Sequence, residues 1–279
     1  MVRSRIYAYL KNPSCAKLRY ILVVTETIIL LAQGLHAGIT YNRLWQTIST
    51  EGDVVLMLGI IGGTSLLFST LPSLQKRTVS TPFGSAEILS GDIVMLMRHQ
   101  HGLPPHRINH RAHLAALAIA GVDRIIAFGS SGSLKPKIAP GSLLIPTDYF
   151  SLTDIPSIHD HDIEHVRPEL SKDLTHKLSN LVPSARFGGI YVQTRGPRIE
   201  TVAEVNALGW IADVVGMTVA SEATLACELG MEFAALCTVD NYANGLGREV
   251  LTYEHILSTS RENRTRTEEI VKNIIGNMG

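Results

Sequence analysis

Gly196-Pro197-Arg198-Ile199-Glu200-Thr201, followed closely by Val214-Val215-Gly216-Met217-Thr218, joins a stiff turn, a helix start and a strand end that carries polar atoms. Open α/β sheets bind small molecules at the carboxyl ends of their strands. Comparable strand ends occur at Gly59-Ile60-Ile61-Gly62-Gly63-Thr64-Ser65, at Arg98-His99 and at Thr238-Val239-Asp240-Asn241-Tyr242. Taken together, these residue types could hold an anion, a polyol and a heterocycle in one pocket.

Each segment has its own chemistry and its own plainer reading. The glycines before Thr64 would let backbone N–H groups approach an anion, with the Thr64 hydroxyl adding a bond. They follow neither the G-x-G-x-x-G spacing nor the lysine rule of a P-loop. Arg98 could grip two oxygens with its planar fork, with His99 touching the same anion, or the pair could be solvated surface. Ser130-Ser131-Gly132-Ser133 leaves room for a flat ligand, or is chosen for turn geometry. No Gly-x-Ser-x-Gly elbow supports a serine nucleophile. Met217 can lie under a sugar ring or fill a core. Thr218 can meet an anion or cap a helix. Glu222 can accept ribose hydroxyls or suit the dipole of the helix it begins. Asn241 offers an acceptor and two donors on one plane, suited to a purine edge or to a turn.

Histidines cluster at His99, His101, His106, His110 and His113, and again at His159, His161 and His165. His106 and His110 stand four apart, one turn of a helix, as metal ligands often do. No ligand triad is tied to a nearby general base, so a metallohydrolase is the lesser reading and no metal site is assigned.

The positioning elements follow from periodicity. Short apolar runs predict strands over Val54–Ile61, Ile93–Met97, Arg124–Phe128, Ser142–Pro146, Gly188–Gln193, Val214–Met217 and Phe233–Val239. Helical patterns fill Ile108–Ala120, Glu169–Leu181, Thr201–Leu208, Glu222–Glu228 and the last thirty residues. Alternation of this kind gives an α/β fold with a mixed, mostly parallel twisted sheet flanked by helices. The stretch Asp148–Arg167, rich in His, Asp and Pro, reads as a long functional loop. One domain over 54–279 is the simplest organisation of a chain of 279 residues.

Lysine plus arginine (25) balances aspartate plus glutamate (25), so no global field favours nucleic acid. Three scattered cysteines, Cys15, Cys227 and Cys237, give neither a disulfide framework nor zinc spacing and suit a reducing cytoplasm. Residues 1–53 resemble an export signal in their basic start and apolar run 21–32. Glu26 interrupts that run, and it falls short of the ~20 residues a membrane span needs. They read as an extension of uncertain structure beside the folded domain, with no membrane partner.

Several of these motifs stand in series with Thr81-Pro82-Phe83-Gly84, Pro105-His106-Arg107-Ile108-Asn109-His110-Arg111-Ala112, Gly132-Ser133-Leu134 and Glu222-Ala223-Thr224-Leu225-Ala226. Over roughly Val54–Gly247 the chain resembles the trimeric purine nucleoside phosphorylases, and within them the methylthioadenosine and methylthioinosine branch. The resemblance implies a nine-stranded mixed α/β fold, a homotrimer, and reversible phosphorolysis of an N-glycosidic bond with inorganic phosphate as co-substrate and no cofactor. It places Thr64, Arg98, His99, Ser130 and Thr218 at phosphate, Met217 under the ribose, Ile199 against the base and Asn241 on the purine edge. Asn241 and Ala243 stand where the adenosine-type enzymes carry two aspartates, which implies a 6-oxopurine. His165 is the candidate for a histidine given by a neighbouring subunit near the sugar 5′ end. Three departures matter: a short segment between His99 and Pro105, Gly129 where a threonine is common, and Asp240 where a threonine or small apolar residue is usual. Were Asp240 to face the base, the preference would turn to 6-aminopurines. The rivals are a methylthioadenosine phosphorylase, a hydrolytic nucleosidase, a histidine-based metallohydrolase and a nucleoside-binding protein without turnover.

Overall fold

The chain's computed structural model describes residues 56–70, 72–161, 163–247 and 252–279; the expected extension 1–53 lies outside them. Met57–Gly279 forms one folded unit. Strands β1 (Met57–Gly62) and β4 (Val94–Met97) are almost wholly apolar and pair in parallel, as strands covered by helices on both faces do. Between them lies an antiparallel hairpin, β2 (Gln75–Thr81) and β3 (Gly84–Ser90), which the apolar-run reading does not contain. Its composition hides it: in Gln75–Thr81 only Val79 is buried, so no run forms. The turn closes through Thr81 Oγ1, which donates to Gly84 O at 2.6 Å, and Gly84 sits at φ +118°, where a side chain is strained.

Strand β5 (Val122–Ser133) organises the rest. Its first half pairs in parallel with β1, its last two residues pair antiparallel with β10 (Val214–Gly216), and β11 (Glu232–Tyr242) runs parallel along its whole length. With β6 (Leu143–Ile145), β7 (Asp148–Ser151), β8 (Arg186–Phe187) and β9 (Ile190–Gln193), the order is β2-β3-β4-β1-β5-β10-β9-β7, and β11, β6 and β8 branch from β5. The described residues thus form eleven strands in one mixed sheet, two more than the resemblance implies.

Alternation along the strands sends side chains to two separate layers. Ile61, Ile125 and Ala127 join Leu114 and Leu117 of α1 (His110–Ile119) and Ala223 of α4 (Val219–Glu228). Leu58, Ile60, Ile126 and Phe128 join Leu174 and Leu178 of α2 (Lys172–Leu181) and Ile274 of α6 (Arg264–Met278). Each such fully buried aliphatic side chain contributes about 1.5–3 kcal/mol. The remaining helices, α3 (Val202–Ile211) and α5 (Tyr253–Glu262), are capped by Thr201 and Thr252. Among the described residues no helix is long and apolar enough to cross a membrane.

Candidate functional site

Because β4, β1 and β5 are neighbours in parallel, their carboxyl ends bring Arg98, Thr64 and Ser130 to one rim. β10 and β11 pair with the far half of β5 and carry Thr218 and Asn241 to the same rim. The branching of the sheet at β5 is therefore what gathers the predicted residues.

Arg98 is held from three sides. Its backbone N–H donates to Gly62 O at 2.8 Å. Its Nε and Nη2 donate to Glu222 at 2.7 and 2.8 Å, and Nη1 donates to Phe128 O at 2.6 Å. Of the five N–H donors of a guanidinium, one on each terminal nitrogen stays free for an anion. Burial pulls the Arg98 guanidinium down, and the Glu222 carboxylate more than restores it, so it is held charged. Gly63 has to be glycine here, because a Cβ would strike Nη1. Glu222 is 1 % exposed with both oxygens on Arg98. The contact the structure gives Glu222 is with Arg98, which it anchors, and no described hydrogen bond turns it toward a sugar.

Thr218 precedes α4 but does not cap it with its side chain. The Tyr191 hydroxyl accepts from Thr218 N and Val219 N at 3.3 and 3.4 Å, and Gln193 Oε1 accepts from Ser221 N at 3.0 Å. Borrowed caps thus meet three N–H groups of the first turn, and no described residue occupies the Thr218 hydroxyl. Thr64 is similar: its carbonyl accepts from Ser260 of α5 at 2.6 Å while no described residue bonds its hydroxyl.

A bulge in β11 separates two neighbouring polar side chains. Val239 pairs with Ser131 and Asn241 with Gly132, which leaves Asp240 as the extra residue. Bulges re-aim side chains beside functional sites. Asp240 is 5 % exposed and accepts a hydrogen bond from Ser130 Oγ. Burial pushes its carboxyl up to about 6, against the hydrogen bonds of Ser130 and Thr238 that lower it. Asn241, half-buried, lies over Gly132, where a Cβ would come within 3.1 Å of Nδ2. Its Nδ2 donates to Tyr242 O at 2.7 Å, leaving the second N–H and the carbonyl oxygen. Gly129 is small for a packing reason: a Cβ there would stand 3.0 Å from Val219 Cγ2.

Met217 is half-buried against Gly196, whose φ of +61° and contact with Met217 Sδ both demand glycine. Thr194 N donates to Gly216 O at 2.9 Å, which brings the start of the Gly-Pro-Arg turn beside Met217, and Ile199 three residues on is half-buried. Arg198 does not serve the rim: it forms an exposed fork on Glu204 at 2.7 and 2.8 Å. Glu200, which its type alone does not mark, is instead tied to the segments that border the rim. It is buried, Thr194 Oγ1 donates to its Oε1 at 2.6 Å, and its carbonyl accepts from Asn244 Nδ2 at 3.0 Å, tying it to the loop after Asn241. An acidic residue between apolar Ile199 and the cap Thr201 was the available signal.

His99 is half-buried, with Nδ1 bonded to Leu103 O at 2.8 Å. Burial lowers its pKa, the Leu103 carbonyl opposes that, and Arg98 adds to the lowering. With Nδ1–H donating, Nε2 is an acceptor, so it meets an anion through a proton. His106 and His110 are not one helical turn apart. His106 lies exposed in a separate 3-10 turn, Pro105–Arg107, and α1 begins at His110 because Asn109 caps it. Burial lowers His110 and His113 to about 4, and Nδ1 of each lacks a hydrogen-bond partner among the described residues. Among those residues no group of three His, Cys, Asp or Glu could hold a metal ion. The 148–167 stretch begins as β7 and then lies on α1 and α4: Arg111 Nη1 donates to both carboxylate oxygens of Asp160 at 2.7 and 2.6 Å, and Glu228 accepts from Ile158 N at 2.7 Å. His165 on it is exposed, and within one chain no described hydrogen bond brings it to the rim.

Residues 57–276 match the family model described as the phosphorylase superfamily. The chain is 38 % identical over 234 residues to a probable 6-oxopurine nucleoside phosphorylase of Archaeoglobus fulgidus, covering 78 % of this chain and 96 % of that one. It is 34 % identical over 232 residues to a probable S-methyl-5′-thioinosine phosphorylase of Methanocaldococcus jannaschii, covering 78 % and 92 %. The fold matches a methylthioadenosine phosphorylase of Schistosoma mansoni solved with tubercidin, at TM-score 0.68 and 23 % identity, covering 79 % and 91 %. With the strand order, the site rim and these matches together, the chain belongs to the phosphorylase superfamily.

Proposed function

We propose that the chain is a purine nucleoside phosphorylase acting on 6-oxopurine nucleosides: methylthioinosine, inosine or guanosine. The products are the free base and (methylthio)ribose 1-phosphate. One observation carries the choice of base: the β11 bulge turns Asp240 to Ser130 and leaves the Asn241 amide over Gly132. An amide can accept from a protonated N7 and donate to O6. Ala243, which is buried, puts no second carboxylate beside it. The carboxylate of Glu200 suits the N1–H that a 6-oxopurine carries and a 6-aminopurine lacks.

In this reading phosphate occupies the rim among Thr64, Arg98, His99, Ser130 and Thr218, below a sugar resting on Met217. Departure of the base leaves positive charge on the sugar, and the phosphate beneath C1′ stabilises it. Electrons flow to N7 and O6, where the Asn241 bonds strengthen, and contacts that tighten only at that moment accelerate the step. Arg98, fixed by Glu222, orients the nucleophile beforehand. The step consumes inorganic phosphate and calls on no metal or organic cofactor. A cytoplasmic homotrimer belongs to the same reading, with exposed His165 reaching the 5′ side of a neighbour's site. Turnover of methylthioinosine, inosine, guanosine and methylthioadenosine, with and without phosphate, tests it. Phosphate-dependent release of hypoxanthine or guanine supports it. Release of adenine alone, or cleavage at equal rate without phosphate, refutes it.

A further inference from the structure

Half-buried Ser130 is bonded to buried Asp240, a carboxyl to which the reaction above gives no part. Serine has a single O–H, and a carboxylate can only accept. While Asp240 is ionised, the Ser130 proton is committed to it, and Ser130 turns only lone pairs toward the rim. The negative carboxylate also stands one hydroxyl away from the anion. When the carboxyl is protonated the bond reverses: Asp240 donates to Ser130 Oγ, and the Ser130 hydrogen is released toward the rim. An apolar site can hold a carboxylic acid neutral so that it serves as a donor. The surroundings suit this. Asp240 is 5 % exposed, its neighbours are Ser130 on β5 and Thr238 and Cys237 on its own strand, and no described Lys, Arg or His is bonded to it. The Cys237 thiol, raised by burial to about 12, stays neutral. Arg98, whose charge acts on Cys237, is already neutralised by Glu222.

We propose that Asp240 is a positioning residue for phosphate, acting through Ser130: in its acid form it turns the Ser130 hydroxyl outward as a donor, so anion binding takes up one proton from solvent onto the Asp240 carboxylate. The proposal rests on phosphate lying at Ser130. It departs from a purely structural pairing because it predicts a proton count. The burial that raises the Asp240 carboxyl to about 6 places the effect in a measurable range.

Sulfate is the probe, since it stays a dianion where phosphate titrates. Its inhibition constant against phosphate is measured from pH 5 to pH 8 for the wild type, Asp240→Asn, Asp240→Thr and Ser130→Ala. Asparagine and threonine can each donate to Ser130 at every pH. Above the Asp240 pKa, wild-type affinity should fall about tenfold more per pH unit than that of Asp240→Asn, the signature of one extra proton. His99 contributes equally to both and cancels. Asp240→Thr should give the same flatter profile as Asp240→Asn. Parallel profiles in the wild type and both Asp240 variants, with Ser130→Ala weakening sulfate, would overturn this role while leaving phosphate at Ser130. A Ser130→Ala variant with undiminished sulfate affinity would instead overturn the phosphate placement, and the proposal with it.

Discussion

Replacing Glu222 by glutamine isolates the contact on which the arrangement of the rim depends. Glutamine keeps the shape and can accept one bond from Arg98, but the guanidinium, 2 % exposed, loses its counter-charge. Removing one partner of a buried ion pair costs about 3–5 kcal/mol, because the surviving charge stays desolvated. For a folded unit of this size each kcal/mol lowers Tm by about 2–4 °C, so Glu222→Gln should melt roughly 6–20 °C lower. Differential scanning calorimetry reads this directly. Two companions sharpen it. The double variant Arg98→Met with Glu222→Leu removes both charges and should recover much of the lost stability, since an apolar pair of similar volume is often neutral. Saturating phosphate should raise the Tm of Glu222→Gln more than that of the wild type, because a bound anion supplies the missing charge. A Tm drop under about 2 °C for the single variant would refute the reasoning, for it would mean the pair is not desolvated.

Other consequences follow from separate parts of the molecule. His110 and His113, both held near 4 by burial, contribute stability that is complete above their unfolded value of about 6.5 and lost as pH falls toward 4. His113→Leu should flatten part of that acid loss in a urea titration between those pH values; an unchanged slope would count against the burial argument. Asp240 works in the opposite direction over about 4 to 6, its folded acid form favoured as pH falls. Asn241→Asp should move the preference toward 6-amino substrates in a kcat/KM comparison of inosine with adenosine. An unaltered ranking would remove Asn241 from the base. Thr201→Ala breaks the capping box with Glu204 and should cost about 1 kcal/mol, seen as a fall in urea midpoint with unchanged slope.

The parallel strands could be read from the residues because β1, β4, β5 and β11 are buried on both faces and spell continuous apolar runs. The β2–β3 hairpin could not, since Gln75–Thr81 is a largely exposed edge strand whose pairing is carried by backbone. The extension of β5 through Gly129–Ser133 was hidden for a related reason. Small polar residues look like a turn, and only long-range pairing with β11 and β10 holds them extended. At the site, Thr64, Arg98, Ser130, Thr218 and Asn241 stand out in the sequence because each follows closely on an apolar run. The partner of Arg98 was not, because Glu222 lies 124 residues away on a helix and only the fold brings the two together. Asp240 and Asn241 are adjacent polar residues with nothing local to separate their roles. The bulge that sends them to different neighbours is a property of the β5–β11 register.

The most direct test of the site is a crystal structure with sulfate and hypoxanthine bound together. Sulfate should lie within hydrogen-bond reach of Thr64, Ser130, Thr218 and a terminal nitrogen of Arg98, with hypoxanthine N7 and O6 on the Asn241 amide above Met217. Sulfate and base in separate cavities, or Asp240 rather than Asn241 on the purine edge, would contradict the account.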